Sequence, residues 1–198
     1  GATWNSTGGY DGKGAYSFDG NDNYIGYGIE PEFKFGVNDF AVSLWFNPTS
    51  GDGALYPALF VGGSSWTSGS GGLYYYPPGS TVGCAWNQLS PNPYLESGVL
   101  VEDSWHHVVL MRTSTNLSLY VDGIYKMSRD VGVTNIGFNN QDVTNIGGNT
   151  WDGANGQFKG TIDEVQVFNR SLSAEQVLAI YNNRTDLIVS QETSLGEN

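Results

Sequence analysis

Hydrophobic and polar positions along this chain alternate in short runs, and turn residues separate the runs. AYSFD, NYIGYG, FAVSLWFNP, ALFVG, GLYYYP, VGCAW, WHHVVLMRT, LSLYVDG, IYKMS and IDEVQVFN each read as a strand. The pattern is cleanest at the third run: Phe40, Val42, Leu44 and Phe46 share one face, while Ala41, Ser43 and Trp45 share the other, as a pleated strand requires. Asp122-Gly123 suits a two-residue hairpin turn, whose twist matches that of its flanking strands. Short strands joined by brief turns predict antiparallel sheets packed as a sandwich.

The period changes to that of a helix once. Ser173 and Gln176 have capping-box spacing, and Val177, Leu178, Ile180 and Tyr181 follow as the apolar stripe of a short surface helix near the C-terminus. Residues 62 to 98 are the irregular part, with GGSSWTSGSGG and PPGS as loops. VTNIG occurs at 133 and again at 143, which reads as two similar strand edges and is too little for a solenoid. The pattern predicts one domain over 1–184, with 185–198 a linker or the start of a following domain.

Composition narrows the function classes. A net charge of −12, from 20 acidic against 8 basic residues, repels phosphate backbones and anionic membrane surfaces, so nucleic acid is not an expected partner. No apolar run reaches the roughly 20 residues of a membrane span, so no direct membrane insertion is expected either. Nor does the chain open on a signal peptide, and any targeting signal is expected outside it. With Cys84 the single cysteine, no disulfide within the chain can form, and an inert buried thiol is expected there. Four glycosylation sequons start at Asn5, Asn116, Asn169 and Asn183; in a chain so rich in Asn, Ser and Thr they favour export only weakly.

The acidic stretch FDGNDNYIGYGIE puts Asp19, Asn21, Asn23 and Glu30 at the ligand spacing of a helix-loop-helix calcium motif. The position that must turn sharply is Tyr24 rather than glycine, and the flanking runs are strands. A metal held by this stretch would therefore sit on a β scaffold.

The segments GKGAYSFDGNDNYI, FAVSLWFNP, SWHHVVLMRTSTNLSLYVDG, NIGGN and FKGTIDEVQVFNRSLSAEQVLAIY, in this order over residues 9 to 182, resemble the laminin-G-like domains of the concanavalin-A-like lectin/glucanase superfamily. The resemblance implies an all-β jelly-roll sandwich of two curved antiparallel sheets with one short C-terminal helix and adjacent termini. It also implies a binding or adhesion module of an exported multidomain protein, extracellular or at the cell surface, with a glycan or a cell-surface protein as partner beside neighbouring domains of a longer chain. By the same resemblance, a structural calcium is expected where Asp19 meets Asp163, with Asn21 adding a neutral oxygen; the alternative is that both aspartates cap turns.

Glucanases of the superfamily carry E-x-D-x-x-E on one strand. Around Asp163 the matching positions are Thr161 and Gln166, which can serve neither as nucleophile nor as proton donor, so no catalytic residue is assigned and a non-enzyme is expected. His106 and His107 are neighbours on a strand and face opposite sides, which suits packing and hydrogen bonding better than chelation. Aromatics offer flat platforms for sugar rings, and Trp66, Tyr74, Tyr76, Trp86 and Trp151 are the expected ligand-binding residues. Tyr75 is expected to face away from Tyr74 and Tyr76. The competing functions are a glycan-active hydrolase and an architectural spacer with no ligand.

Overall fold

The computed structural model describes residues 1–28, 33–51, 53–63, 70–86, 89, 94–136, 144–150 and 153–183. Two antiparallel sheets contain the strands β1 (Thr3–Asn5), β2 (Ala15–Asp19), β3 (Ile25–Gly26), β4 (Phe40–Pro48), β5 (Ala58–Gly62), β6 (Gly71–Tyr76), β7 (Thr81–Trp86), β8 (Leu95–Glu96), β9 (His106–Thr113), β10 (Asn116–Val121), β11 (Ile124–Asp130), β12 (Thr144–Ile146) and β13 (Lys159–Phe168). The first sheet runs β1-β2-β13-β4-β9-β10-β11 and the second β3-β12-β5-β6-β7-β8. Strands distant in sequence are neighbours in both, as in a jelly-roll sandwich. One helix, α1 (Ala174–Tyr181), follows.

Alternation decides which side chains fill the space between the sheets. Phe40, Val42, Leu44 and Phe46 of β4 meet Leu73 and Tyr75 of β6 and Val82, Cys84 and Trp86 of β7 in one core. Each fully buried aliphatic or aromatic side chain there contributes about 1.5–3 kcal/mol. Burial pushes the Cys84 thiol up to about 12, so it stays protonated and inert. The hairpin between β10 and β11 turns on Asp122 and Gly123, both at positive φ. Of the two VTNIG copies, only the second yields a strand, β12; Val133 to Ile136 of the first are not in one.

The face of the first sheet that points away from the core is covered by both ends of the domain. Helix α1 begins with the expected capping box, Ser173 accepting from the Gln176 backbone N–H while the Gln176 side chain accepts from that of Ser173. Val177 and Ile180 then pack on Ala41, Val109 and Met111. Trp45 lies between the Tyr10 ring, stacked at 4.1 Å, and the Tyr181 ring at 5.4 Å, so an N-terminal loop and the helix grip the same strand residue. Behind the clasp, His107 Nε2 is 2.8 Å from Ser43 Oγ. Burial pulls His107 down to about 4, so it is neutral at physiological pH. His106, on the core side, has Asp122 Oδ2 2.9 Å from Nδ1 and the Val101 carbonyl 3.0 Å from Nε2. Burial disfavours its charge, but the hydrogen bonds to the Asp122 carboxylate and the Val101 carbonyl favour the protonated ring, and its pKa is raised.

Candidate functional site

The opposite outer face, on the second sheet, is built differently. Strand pairing places Gly26, Asn145, Val61, Gly72 and Ala85 in one row across it, and Ala58, Tyr74, Gly83 and Glu96 in the next. Glycine and alanine leave a low floor. The two glycines are also required by the backbone, since a Cβ at Gly72 would collide with the Phe60 carbonyl oxygen and one at Gly83 with that of Leu95. Tyr74 and Tyr76 rise from this floor, packed with Ala58, Val61 and Ala85 in a cluster separate from the main core. Tyr56, about half exposed, sets its ring edge-on to Tyr76 at 6.0 Å.

At the β3–β12 end of the face two amide side chains are withdrawn from water without full exchange. Asn145 is 0% exposed, and neither its Oδ1 nor its Nδ2 has a hydrogen-bond partner among the described residues. Gln157 is buried too; its Nε2 donates to the carbonyls of Asn149 at 2.6 Å and Gly153 at 3.3 Å, but its Oε1 has no partner there. Tyr24 lies near both amides, with a glycine between it and each of them. A point over Gly26 lies 3.3 Å from Tyr24 Cε2 and 3.4 Å from Asn145 Oδ1, and a point over Gly148 touches Gln157 Oε1 and lies 3.2 Å from Tyr24 Cβ. Tyr24 is 42% exposed. An accessible tyrosine thus lies near three buried polar atoms, across Gly26 from Asn145 and across Gly148 from Gln157.

The expected site residues divide. Tyr74 and Tyr76 lie on this face, with Tyr75 turned into the core, as alternation requires. They are enclosed rather than displayed, at 2% and 7% exposure. Trp86 is corrected outright: it is fully buried in the core between the sheets and pairs with Gly71, whose missing side chain makes room for the indole. Trp66 and Trp151 lie outside the described residues, as do Glu30 and the tail 185–198. Asn5, Asn116, Asn169 and Asn183 are all exposed.

The two aspartates expected to share a calcium are set apart by register. Asp19 stands opposite Lys159 on β13, and Asp163 lies four residues further along that strand, about 13 Å away at the strand rise per residue. Instead of converging, each carboxylate accepts from backbone. Asp19 takes the Asn21 N–H at 2.9 Å, which draws its pKa down. Asp163 takes those of Tyr10 at 3.2 Å and Glu164 at 2.8 Å, while burial holds its pKa up. One ion cannot be held by both aspartates. The strand also bulges here: the β13–β4 register shifts between Asp163 and Gln166, and Glu164 takes a φ of 48°. Beside the bulge, at the edge of the sandwich, a cleft of about 200 Å³ opens between the sheets, with Trp4, Tyr16 and Tyr27 at its rim and Phe18, Ile146 and Ile162 within.

The family model described as the concanavalin A-like lectin/glucanases superfamily, of the laminin-G type, matches residues 19–178. The chain belongs to this superfamily. No curated protein matches it in sequence. Among solved structures, this superfamily member is similar to domain 4 of AbnA, an extracellular GH43 arabinanase from Geobacillus stearothermophilus, in complex with arabinotriose. The identity is 18% and the TM-score 0.66, over 91% of this chain and 81% of that one. It is also similar to the CBM40 of the Ruminococcus gnavus IT-sialidase, with 18% identity and a TM-score of 0.65 over 84% and 96% of the two chains. A Trypanosoma rangeli sialidase matches with 18% identity and a TM-score of 0.65; there the chain spans 88% of itself but only 28% of the enzyme. At these identities the likeness is one of fold.

Proposed function

We propose that this domain is a non-catalytic glycan-binding module of an exported protein, and that it binds through the outer face of its second sheet, centred on Tyr24, Asn145 and Gln157. The observation that carries this reading is a half-exposed ring near buried amides that lack partners among the described residues. An unsatisfied buried amide costs about 1–3 kcal/mol, so two beside one exposed tyrosine suit a ligand that supplies the missing bonds. A sugar suits such a place: its C–H face stacks on the exposed tyrosine, and its hydroxyls both donate and accept, as Asn145 and Gln157 require once binding uncovers them. Support comes from the neighbours in fold, one an arabinanase domain bound to arabinotriose and another a CBM40, and the former belongs to an extracellular enzyme.

In this reading the domain anchors a larger protein to a glycan surface, an adhesive task without chemistry of its own. Thr161 and Gln166 stand where the superfamily's glucanases carry carboxylates, which supports a binding rather than a hydrolytic role. The test is a glycan array followed by calorimetry with the best oligosaccharide, on the parent and on Tyr24→Ala. Binding weakened about fivefold in the variant with the melting temperature unchanged supports the site. An array without hits would favour a spacer, and release of reducing sugar would favour a hydrolase.

A further inference from the structure

Resting on that reading, the distribution of cations sharpens which glycans the site can take. The stretch from Phe35 to Met111, which supplies β5, β6, β7 and β8, contains no lysine or arginine; nor do the stretches from Gly14 to Phe33, around β3, and from Asp130 to Phe158, around β12. The strands of the second sheet therefore contain no basic residue, and the segment leaving β3 carries one, Lys34, next to Phe33, whose ring packs edge-on to Tyr27 and Phe60. Of the cations elsewhere, Lys13 is paired with Asp11 at 2.9 Å. Arg112 is buried and spends its guanidinium on the carbonyls of Ser114, Gly36, Thr134 and Gly132. Arg129 sits over the Tyr94 ring at the far edge. Lys159 is two residues past Gln157 but lies in the first sheet opposite Asp19, with its side chain against Gly20.

We infer that the site selects uncharged sugars, neutral pentose or hexose units, and rejects glycans carrying a carboxylate or sulfate at the bound residue. An anionic sugar entering a desolvated site needs an arginine or lysine to compensate its lost hydration. Here it would meet neutral amides, the electron-rich face of a tyrosine ring and a protein of net charge −12. A neutral sugar loses nothing by the absence of a cation, because amides and rings suffice for hydroxyls and C–H faces.

The experiment compares matched pairs by calorimetry in chelator-containing buffer: lactose against 3′-sialyllactose, and galactotriose against trigalacturonate, with arabinotriose as a further neutral probe. The expected result is binding of at least one neutral probe and at least tenfold weaker binding of its charged counterpart, with a gap that narrows as salt rises and screens the repulsion. Equal or tighter binding of a charged member, weakened in Tyr24→Ala, overturns the selectivity while leaving the glycan-binding site standing. Charged-sugar binding lost in Lys159→Gln also overturns it, by showing that this lysine reaches the site. If none of these probes binds and a broad array is blank, the selectivity and the proposed function fall together.

Discussion

The two outer faces of this sandwich use the same kind of scaffold to opposite ends. On the first sheet, Trp45 is stacked between Tyr10 and Tyr181, Ser43 bonds His107, and α1 closes over Ala41, Val109 and Met111. Bulky residues fill that face and the two ends of the domain seal it. On the second sheet, glycine and alanine keep the floor low, and Asn145 and Gln157 hold polar atoms without partners among the described residues. The difference lies in access, since His107 Nδ1 on the first face also lacks a partner among the described residues: the first face is sealed by both ends of the domain, whereas the second leaves the Tyr24 ring exposed near its amides. The faces should therefore respond in opposite ways to substitution.

The largest expected effect is on the first face. Trp45→Ala should lower stability by about 3–5 kcal/mol, because it removes a buried indole from between two rings. Denaturant unfolding measures it; a loss under 1 kcal/mol would mean the stack is incidental.

Acid tests the same face. His107 is neutral when folded, with its pKa pulled by burial to about 4 from an ordinary 6.5, so between those values the unfolded state binds more protons. Stability should fall as pH drops from 6.5 to 4, by on the order of 3 kcal/mol at the limit, and His107→Gln should flatten that slope. His106 runs the other way. Its raised pKa contributes stability that is present below its unfolded value and lost as pH rises through its folded one, so His106→Gln should remove a loss on the alkaline side.

On the second face the signs of binding and stability separate. Asn145→Leu should weaken glycan binding at least tenfold, about 1.4 kcal/mol, yet leave the melting temperature unchanged or higher, because it removes an unsatisfied buried amide. A drop in melting temperature would instead show the amide to be structural. Tyr24→Ala should cost about 1 kcal/mol of affinity with no change in stability, since the ring is 42% exposed. The smallest expected effect is that of chelator on the melting temperature. A calcium-dependent rise lost in both Asp19→Ala and Asp163→Ala would show a bridge that the register does not provide.

Much of this arrangement is legible along the chain. The alternation in FAVSLWF gives β4 its two faces, and Ser173 with Gln176 marks the start of α1 to the residue. The bulge at Glu164 is not legible, because nothing local distinguishes its residues from a regular strand. For the site, alternation separates Tyr75 from Tyr74 and Tyr76, but it does not say that Tyr74 and Tyr76 are enclosed or that Trp86 fills the core. Asn145 was hidden for a similar reason: on a two-stranded reading of VTNIG it is one polar residue among many. A usable signal did exist in the small residues Gly72, Gly83 and Ala85, which fall on one face of GGLYYY and TVGCAW and mark a low floor.

The sequence by itself determined most of the strands, the helix, the family and the absence of cations from the strands of the second sheet, because period, capping and composition are local properties of the chain. Only the tertiary structure decided which residues meet. Asp19 and Asp163 are separated by a register set over a pair of strands distant in sequence, and Tyr24 is brought to Asn145 and Gln157 by the pairing of β3 with β12 and the return of the chain at Gly148 and Gln157. Such long-range pairings follow from the fit of the whole core rather than from any one segment, and a one-residue change of register would turn each of these side chains to the other face.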